Sequence, residues 1–214
     1  MTRITGIVPA KRRSGWVEIR LDGASRILLP DDEAGRLGLV AGDLVDPDRL
    51  ARVRTAAARA EAIRGALGYL STRPRSRWEV ERRLRKKGVD AAAIAAAIER
   101  CEALGYLDDR EFASAYARDR IRLRPCGEAR LMANLQARGV SEGDAAAGIR
   151  TAFRDEDVSE EDLLEREASR QARRLARVEP ETARRRLYAA LMRRGFPASM
   201  VHRWLERRDA ASAG

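Results

Sequence analysis

The stretch Val80-Glu81-Arg82-Arg83-Leu84-Arg85-Lys86-Lys87-Gly88-Val89 returns twice, as Leu131-Met132-Ala133-Asn134-Leu135-Gln136-Ala137-Arg138-Gly139-Val140 and as Leu187-Tyr188-Ala189-Ala190-Leu191-Met192-Arg193-Arg194-Gly195-Phe196. Each copy places an apolar residue four before a leucine, then a basic residue, a glycine and another apolar residue. An apolar pair at i and i+4 is one face of a helix. Glycine suits the left-handed residue that ends a helix, and basic side chains before it complement the negative end of the helix dipole. Ten residues past each glycine stands a further apolar anchor: Ile98, Ile149 and Leu205. The glycines lie 51 and 56 residues apart, the spacing of a repeated supersecondary unit.

Working outward, each unit reads as a leading helix (59–71, 109–123, 160–177), a middle helix ending at the glycine, and a third helix (90–104, 141–153, 197–207). Ser76-Arg77-Trp78-Glu79 has the form of a capping box, and Ser141 with Asp144 and Ser159 with Asp162 are looser versions. Trp78 is out of phase with Val80 and Leu84, which puts it at the edge of the buried stripe. Before the helices, Ile4 to Val8, Trp16 to Leu21 and Ser25 to Leu29 read as a β-meander, with Asp22-Gly23 as a tight turn. Asp31-Asp32-Glu33 then opens a short helix through Leu37. The predicted organisation is a β-meander plus short helix over 1–50, a linker helix and first repeat over 51–106, a second repeat over 107–154, a third over 155–208, and a disordered tail over 209–214. The fold class is mainly α: three tandem three-helix, helix-turn-helix-like repeats in an elongated curved array, preceded by a small β-rich N-terminal unit.

Composition narrows the function. The 214 residues carry 43 basic and 33 acidic side chains, a formal charge of +10, with only 5% aromatic residues. No apolar run approaches the roughly 18 to 20 residues that span a bilayer, and the first residues do not open into a signal peptide, so the expected compartment is the cytoplasm. Lysine occurs only at Lys11, Lys86 and Lys87, so the basic excess is arginine, whose rigid fork of donors fits phosphate or carboxylate. That points to a polyanionic partner rather than to a membrane.

Catalytic and metal chemistry have few residues to use. Cys101, Cys126 and His202 have no partner at metal-ligand spacing, and the cysteines read as small packing residues. No phosphate-binding loop of the Gly-x-x-x-x-Gly-Lys type occurs, and no cofactor is predicted. Asp108-Asp109 with Glu111 reads as the acidic start of a helix, with Tyr106 and Leu107 stapling it against the core.

Three segments carry a family likeness: Ser76-x-x-Glu79 with Leu84 and Lys87-Gly88-Val89; Leu104-Gly105-Tyr106-Leu107-Asp108-Asp109-x-Glu111-Phe112-Ala113; and Gly127, Leu131, Leu135 and Arg138-Gly139-Val140. In that order they resemble the RecX family of bacterial regulators of the RecA recombinase, across roughly 60 to 153. The third unit fits by its Leu191 to Phe196 turn and has drifted elsewhere, and the β-rich start looks like an extension carried by some members. The resemblance implies three three-helix repeats, no catalysis, and a modulator that lodges in the deep groove of a RecA filament on single-stranded DNA; the chain itself is expected to be a monomer. It also implies inhibition of RecA's ATPase, strand-exchange and co-protease activities, and so modulation of recombination and DNA repair.

Arginine clusters are the candidate contacts, whether to RecA or directly to single-stranded DNA. They are Arg73, Arg75 and Arg77 around Pro74; Arg82, Arg85, Lys86 and Lys87 on the next helix; Arg118, Arg122 and Arg124 ending the second leading helix; Arg138 at the second glycine turn; and Arg185, Arg186, Arg193 and Arg194 in the third unit. A competing reading is an autonomous helix-turn-helix-like DNA-binding regulator, for which Asn134 and Gln136 are thin base-reading candidates.

Overall fold

The computed structural model describes residues 1–213. Four strands open the chain: β1 (Thr2–Pro9), β2 (Trp16–Leu21), β3 (Arg26–Pro30) and, after helix α1 (Asp31–Arg36), β4 (Leu44–Val45). They form one antiparallel sheet in the order β3-β2-β1-β4. Gly23 takes a φ of 75° in the turn after β2, as the Asp-Gly pair predicts. The two-residue β4 has too little sequence to announce itself and was not anticipated.

Nine helices follow: α2 (Pro47–Leu70), α3 (Arg77–Lys86), α4 (Ala91–Ala103), α5 (Asp109–Leu123), α6 (Glu128–Gln136), α7 (Glu142–Asp155), α8 (Glu160–Arg174), α9 (Pro180–Arg193) and α10 (Ala198–Ala213), among the described residues. The protein is mainly helical, with three tandem three-helix repeats after a small sheet. Two boundaries differ from the sequence reading. The linker helix expected from residue 51 and the leading helix expected over 59–71 are one helix, α2, whose start is set by Asp46, which accepts from the Arg49 amide, and by Pro47 in the first turn, where its missing N–H costs nothing. α10 stays helical through Ala213, into the stretch expected as a tail, and Gly214 lies outside the described residues.

The chain divides into two compact units, Met1–Arg73 with Glu79–Leu107, and Pro74–Trp78 with Asp108 onward. Unit 1 holds two cores. One joins Ile4, Ile19 and Leu29 of the sheet to Val53 of α2, and the other packs Ala62 and Ala66 of α2 against Val80, Leu84, Ile94 and Ile98. In unit 2 a single core runs from Phe112 through Leu131, Leu135 and Ile149 to Leu163, Leu187, Leu191 and Leu205. All six apolar partners flanking the repeated turns are buried, each side chain contributing about 1.5–3 kcal/mol.

Unit 2 also shows how the turns join to helix starts. Gly139 and Gly195 have φ of 74° and 80°. The carbonyl just before each glycine receives a donor from a helix start twelve residues ahead of the previous glycine: Ser76 Oγ donates to Arg138 O at 2.7 Å, and the Gly127 amide to Arg194 O at 3.0 Å. One residue on, the Arg77 amide donates to Asp109 Oδ1 and the Glu128 amide to Glu160 Oε1, both at 2.8 Å. The two joints are therefore the same structure built twice. Their fit is close: a Cβ on Gly139 would meet Trp78 Cβ at 2.3 Å, and one on Gly127 would meet Gly195 O at 2.1 Å.

The acidic helix starts act as capping groups. Asp108 accepts from the Arg110 and Glu111 amides at the head of α5, while Asp109 caps α3. Ser159 and Asp162 form a full capping box on α8. Leu107 is buried as expected, but Tyr106 is 63% exposed, so the predicted staple rests on the leucine alone. The left-handed Gly105 turns the chain just before Tyr106.

Two tests follow from this packing. Gly127→Ala and Gly195→Ala should each cost about 1–3 kcal/mol, read as a lowered thermal midpoint, whereas Gly143→Ala, whose Cβ would meet only Ser141 Oγ at 4.0 Å, should be neutral or stabilising by up to about 1 kcal/mol. Cys101 and Cys126 are buried, and burial raises both thiol pKa values, so a thiol reagent at neutral pH should label them only after denaturant is added.

Candidate partner-binding surface

The repeat geometry sorts the candidate cations by what they already hold. Arg194 is a structural residue: Nη1 donates to Pro125 O at 2.9 Å and Nε meets Glu167 Oε1 at 2.8 Å. Glu167 is 0% exposed and also accepts from Arg170 and from Gln171 Nε2, each at 2.7 Å. A fully buried carboxylate needs this degree of satisfaction, because an unpaired charge in the core is strongly unfavourable. Arg138 is likewise engaged. Its Nη1 donates to Asn134 O at 2.7 Å, and its guanidinium lies 4.7 Å from the centre of the Tyr116 ring, which Arg120 also approaches.

Other candidates hold acidic partners. Arg122 grips Glu156 through two hydrogen bonds of 2.8 and 2.6 Å, and this contact holds the Glu156 carboxyl below its ordinary pKa. Arg118 faces Asp155 at 3.6 Å, Arg73 chelates Glu79, and Arg85 lies 3.8 Å from Glu81. Arg77 and Arg82 are exposed and Arg75 is half-buried.

The remaining six form no ion pair among the described residues: Lys86, Lys87, Arg124, Arg185, Arg186 and Arg193, all exposed. They sit at helix ends or along α9. Lys86 and Lys87 close α3 in unit 1, Arg124 follows α5, and Arg193 closes α9 in unit 2. Arg186 and Arg193 are seven residues apart and share a face of α9. Arg185 lines a cleft of about 250 Å³ with Glu181, to which it forms no ion pair, and with Tyr188 and His202, whose rings are 4.9 Å apart. Exposed cations not held in an ion pair are the groups an outside anion meets first.

Residues that sequence reading missed are the internal anchors Glu167, Arg170 and Glu160, while Asp109, expected at the start of α5, caps α3 instead. Glu167 had a visible signal, since it falls in phase with Leu163, Leu164 and Ala168 on the apolar stripe of α8. Among the described residues no cluster of three metal-ligating side chains occurs, and no helix is long and apolar enough to cross a membrane.

Three-helix units closed by left-handed glycines, with basic side chains left over at their ends, define a helical-repeat protein. Three family profiles match the chain: RecX, first three-helix domain, over residues 62–101; RecX, second three-helix domain, over 108–149; and RecX, third three-helix domain, over 159–205. This chain belongs to the RecX family. It is 30% identical over 189 residues to regulatory protein RecX of Geobacillus thermodenitrificans, covering 87% of this chain and 69% of that one. It is 29% identical over 153 residues to regulatory protein RecX of Prosthecochloris aestuarii, covering 68% and 92%. A crystal structure of regulatory protein RecX has the same fold at a TM-score of 0.75 and 21% identity, over 94% of this chain and 98% of that one. RecX from Lactobacillus salivarius matches at 0.61 over 72% and 97%. Its relatives are named as regulatory proteins, and the chain is a regulator rather than an enzyme.

The buried knot in unit 2 predicts a stability difference. Glu167→Ala leaves Arg170 and Arg194 without their shared carboxylate and should cost about 2–3 kcal/mol in chemical denaturation, whereas Arg186→Ala should stay within about 0.5 kcal/mol of the parent.

Proposed function

We propose that this chain binds RecA filaments on single-stranded DNA as a monomer and inhibits RecA's ATPase, strand-exchange and co-protease activities, thereby modulating recombination and DNA repair. Membership of the RecX family supports a regulatory role. The observation that carries the reading to a filament is that six of the candidate cations, Lys86, Lys87, Arg124, Arg185, Arg186 and Arg193, are exposed and form no ion pair among the described residues. A nucleoprotein filament repeats anionic groups along its length and can meet several such side chains at once. Arg73, Arg85, Arg118, Arg122, Arg138 and Arg194 serve the fold first, because each already holds a carboxylate or a backbone carbonyl.

Inhibition on this account needs no chemistry from the chain itself, only occupancy. The test is RecA-catalysed ATP hydrolysis on single-stranded DNA with the full chain added below the RecA concentration. Hydrolysis should fall, and the inhibition should weaken as salt rises from 50 to 200 mM, because cation–anion contacts are screened and counterions compete. Unchanged hydrolysis together with unchanged filament length would contradict the proposal.

A further inference from the structure

Unit 1 contains a groove that the helical repeats do not account for. It lies between the sheet and α2, has a volume of about 600 Å³, and its polar lining is Arg36, Arg59, Arg64 and Arg100 with the carboxylates Asp32 and Glu33, beside Trp16. Two of these arginines are occupied: Arg64 pairs with Glu61 at 2.6 Å, and Arg36 pairs with Asp32 and Glu33. Arg59 of α2 and Arg100 of α4 are exposed and hold no carboxylate among the described residues. Two free guanidinium groups from different helices therefore converge on one groove beside an indole ring.

The indole is fixed in place. Arg13, in the β1–β2 hairpin, lies 5.4 Å from the centre of the Trp16 ring and pairs with Glu61 at 2.8 Å. Glu61 thus takes Arg13 from the hairpin and Arg64 from its own helix, and these contacts hold its carboxyl below the ordinary pKa. The Arg13–Glu61 pair pins the hairpin to α2. The same pair lines a second groove, of about 830 Å³, to which Glu18 and the cations Lys11 and Arg54 also contribute, the latter two with no ion pair among the described residues.

We infer that this surface of unit 1 is a single-stranded nucleic-acid site, with Arg59 and Arg100 holding backbone phosphates and Trp16 offering an edge or face to a base. A cationic groove with an aromatic platform is the arrangement by which single strands are held without sequence preference. Charge alone would suit an acidic peptide equally, since guanidinium forks fit carboxylate as well as phosphate. The indole decides for nucleic acid, because a stacked base gains from it and an acidic side chain does not. The site acts without RecA and is independent of the filament reading above.

The test is fluorescence anisotropy of a labelled oligo-dT of about 20 nucleotides with the full chain, in the absence of RecA. Arg59→Glu with Arg100→Glu should weaken binding at least tenfold, and the neutral pair Arg59→Gln with Arg100→Gln should lower the salt slope by about 1.4, the value for two phosphates on a single strand. Trp16→Phe should bind more tightly than Trp16→Leu, with circular dichroism showing both folded. Binding unaffected by either arginine pair, or displacement of the oligonucleotide by polyglutamate at equal charge concentration, would overturn the inference. Loss of oligo-dT binding with RecA inhibition intact would leave the filament proposal standing, so the two readings fail separately.

Discussion

Everything in unit 2 rests on one carbonyl position, the residue just before each left-handed glycine. A helix that stops there leaves its last carbonyls without intrahelical donors. Arg138 O and Arg194 O are satisfied from outside the helix, by Ser76 Oγ and by the Gly127 amide. The donors differ in chemistry, a side-chain hydroxyl in one case and a backbone amide in the other, yet occupy the same place in the repeat. Since Asp109 and Glu160 complete the two joints by capping the helix start beside each donor, one polar arrangement serves both a helix end and a helix start. Close approach follows from it, and so does the need for glycine at 127, where no Cβ can be accommodated.

The same economy governs charge. A chain with 36% charged residues has many more ions than a partner needs, and the fold uses a large share of them internally. Buried Glu167 gathers Arg170 and Arg194, and Glu156 holds Arg122. Exposed pairs such as Arg85 with Glu81 add little stability, at most about 1 kcal/mol. Cations left over by this pairing are the ones with electrostatic reach beyond the molecule.

Much of the architecture was legible in the sequence. The apolar pairs Val80 and Leu84, Leu131 and Leu135, Leu187 and Leu191 are buried, and the glycines that follow them have positive φ. Local rules decide these features, so a single sequence reveals them. Helix α5 begins and ends where capping chemistry put it, at Asp109 and Leu123. The joints were not legible, because Asp109 and Glu160 look like ordinary acidic first-turn residues and their acceptor role depends on amides 32 residues away. The third repeat departs for a packing reason. Ala97 and Gly148 are small where the third helices of repeats 1 and 2 meet their leading helices, but the corresponding residue of repeat 3 is Trp204, whose Nε1 donates to Glu165 at 2.6 Å. Of the candidate contacts, sequence identified the clusters but not which members were already engaged, since pairs such as Arg122 with Glu156 and Arg194 with Glu167 join different helices.

Filament binding, as proposed, runs through candidate cations that form no ion pair among the described residues and not through equally basic residues that the fold consumes. Co-sedimentation of the full chain with RecA filaments on single-stranded DNA measures that distinction. Reversing Arg185, Arg186 and Arg193 to glutamate should remove most of the protein from the pellet, while Arg122→Glu, which breaks an internal pair with Glu156, should leave binding largely intact. Retained binding by the triple reversal, with binding lost in Arg122→Glu, would contradict it.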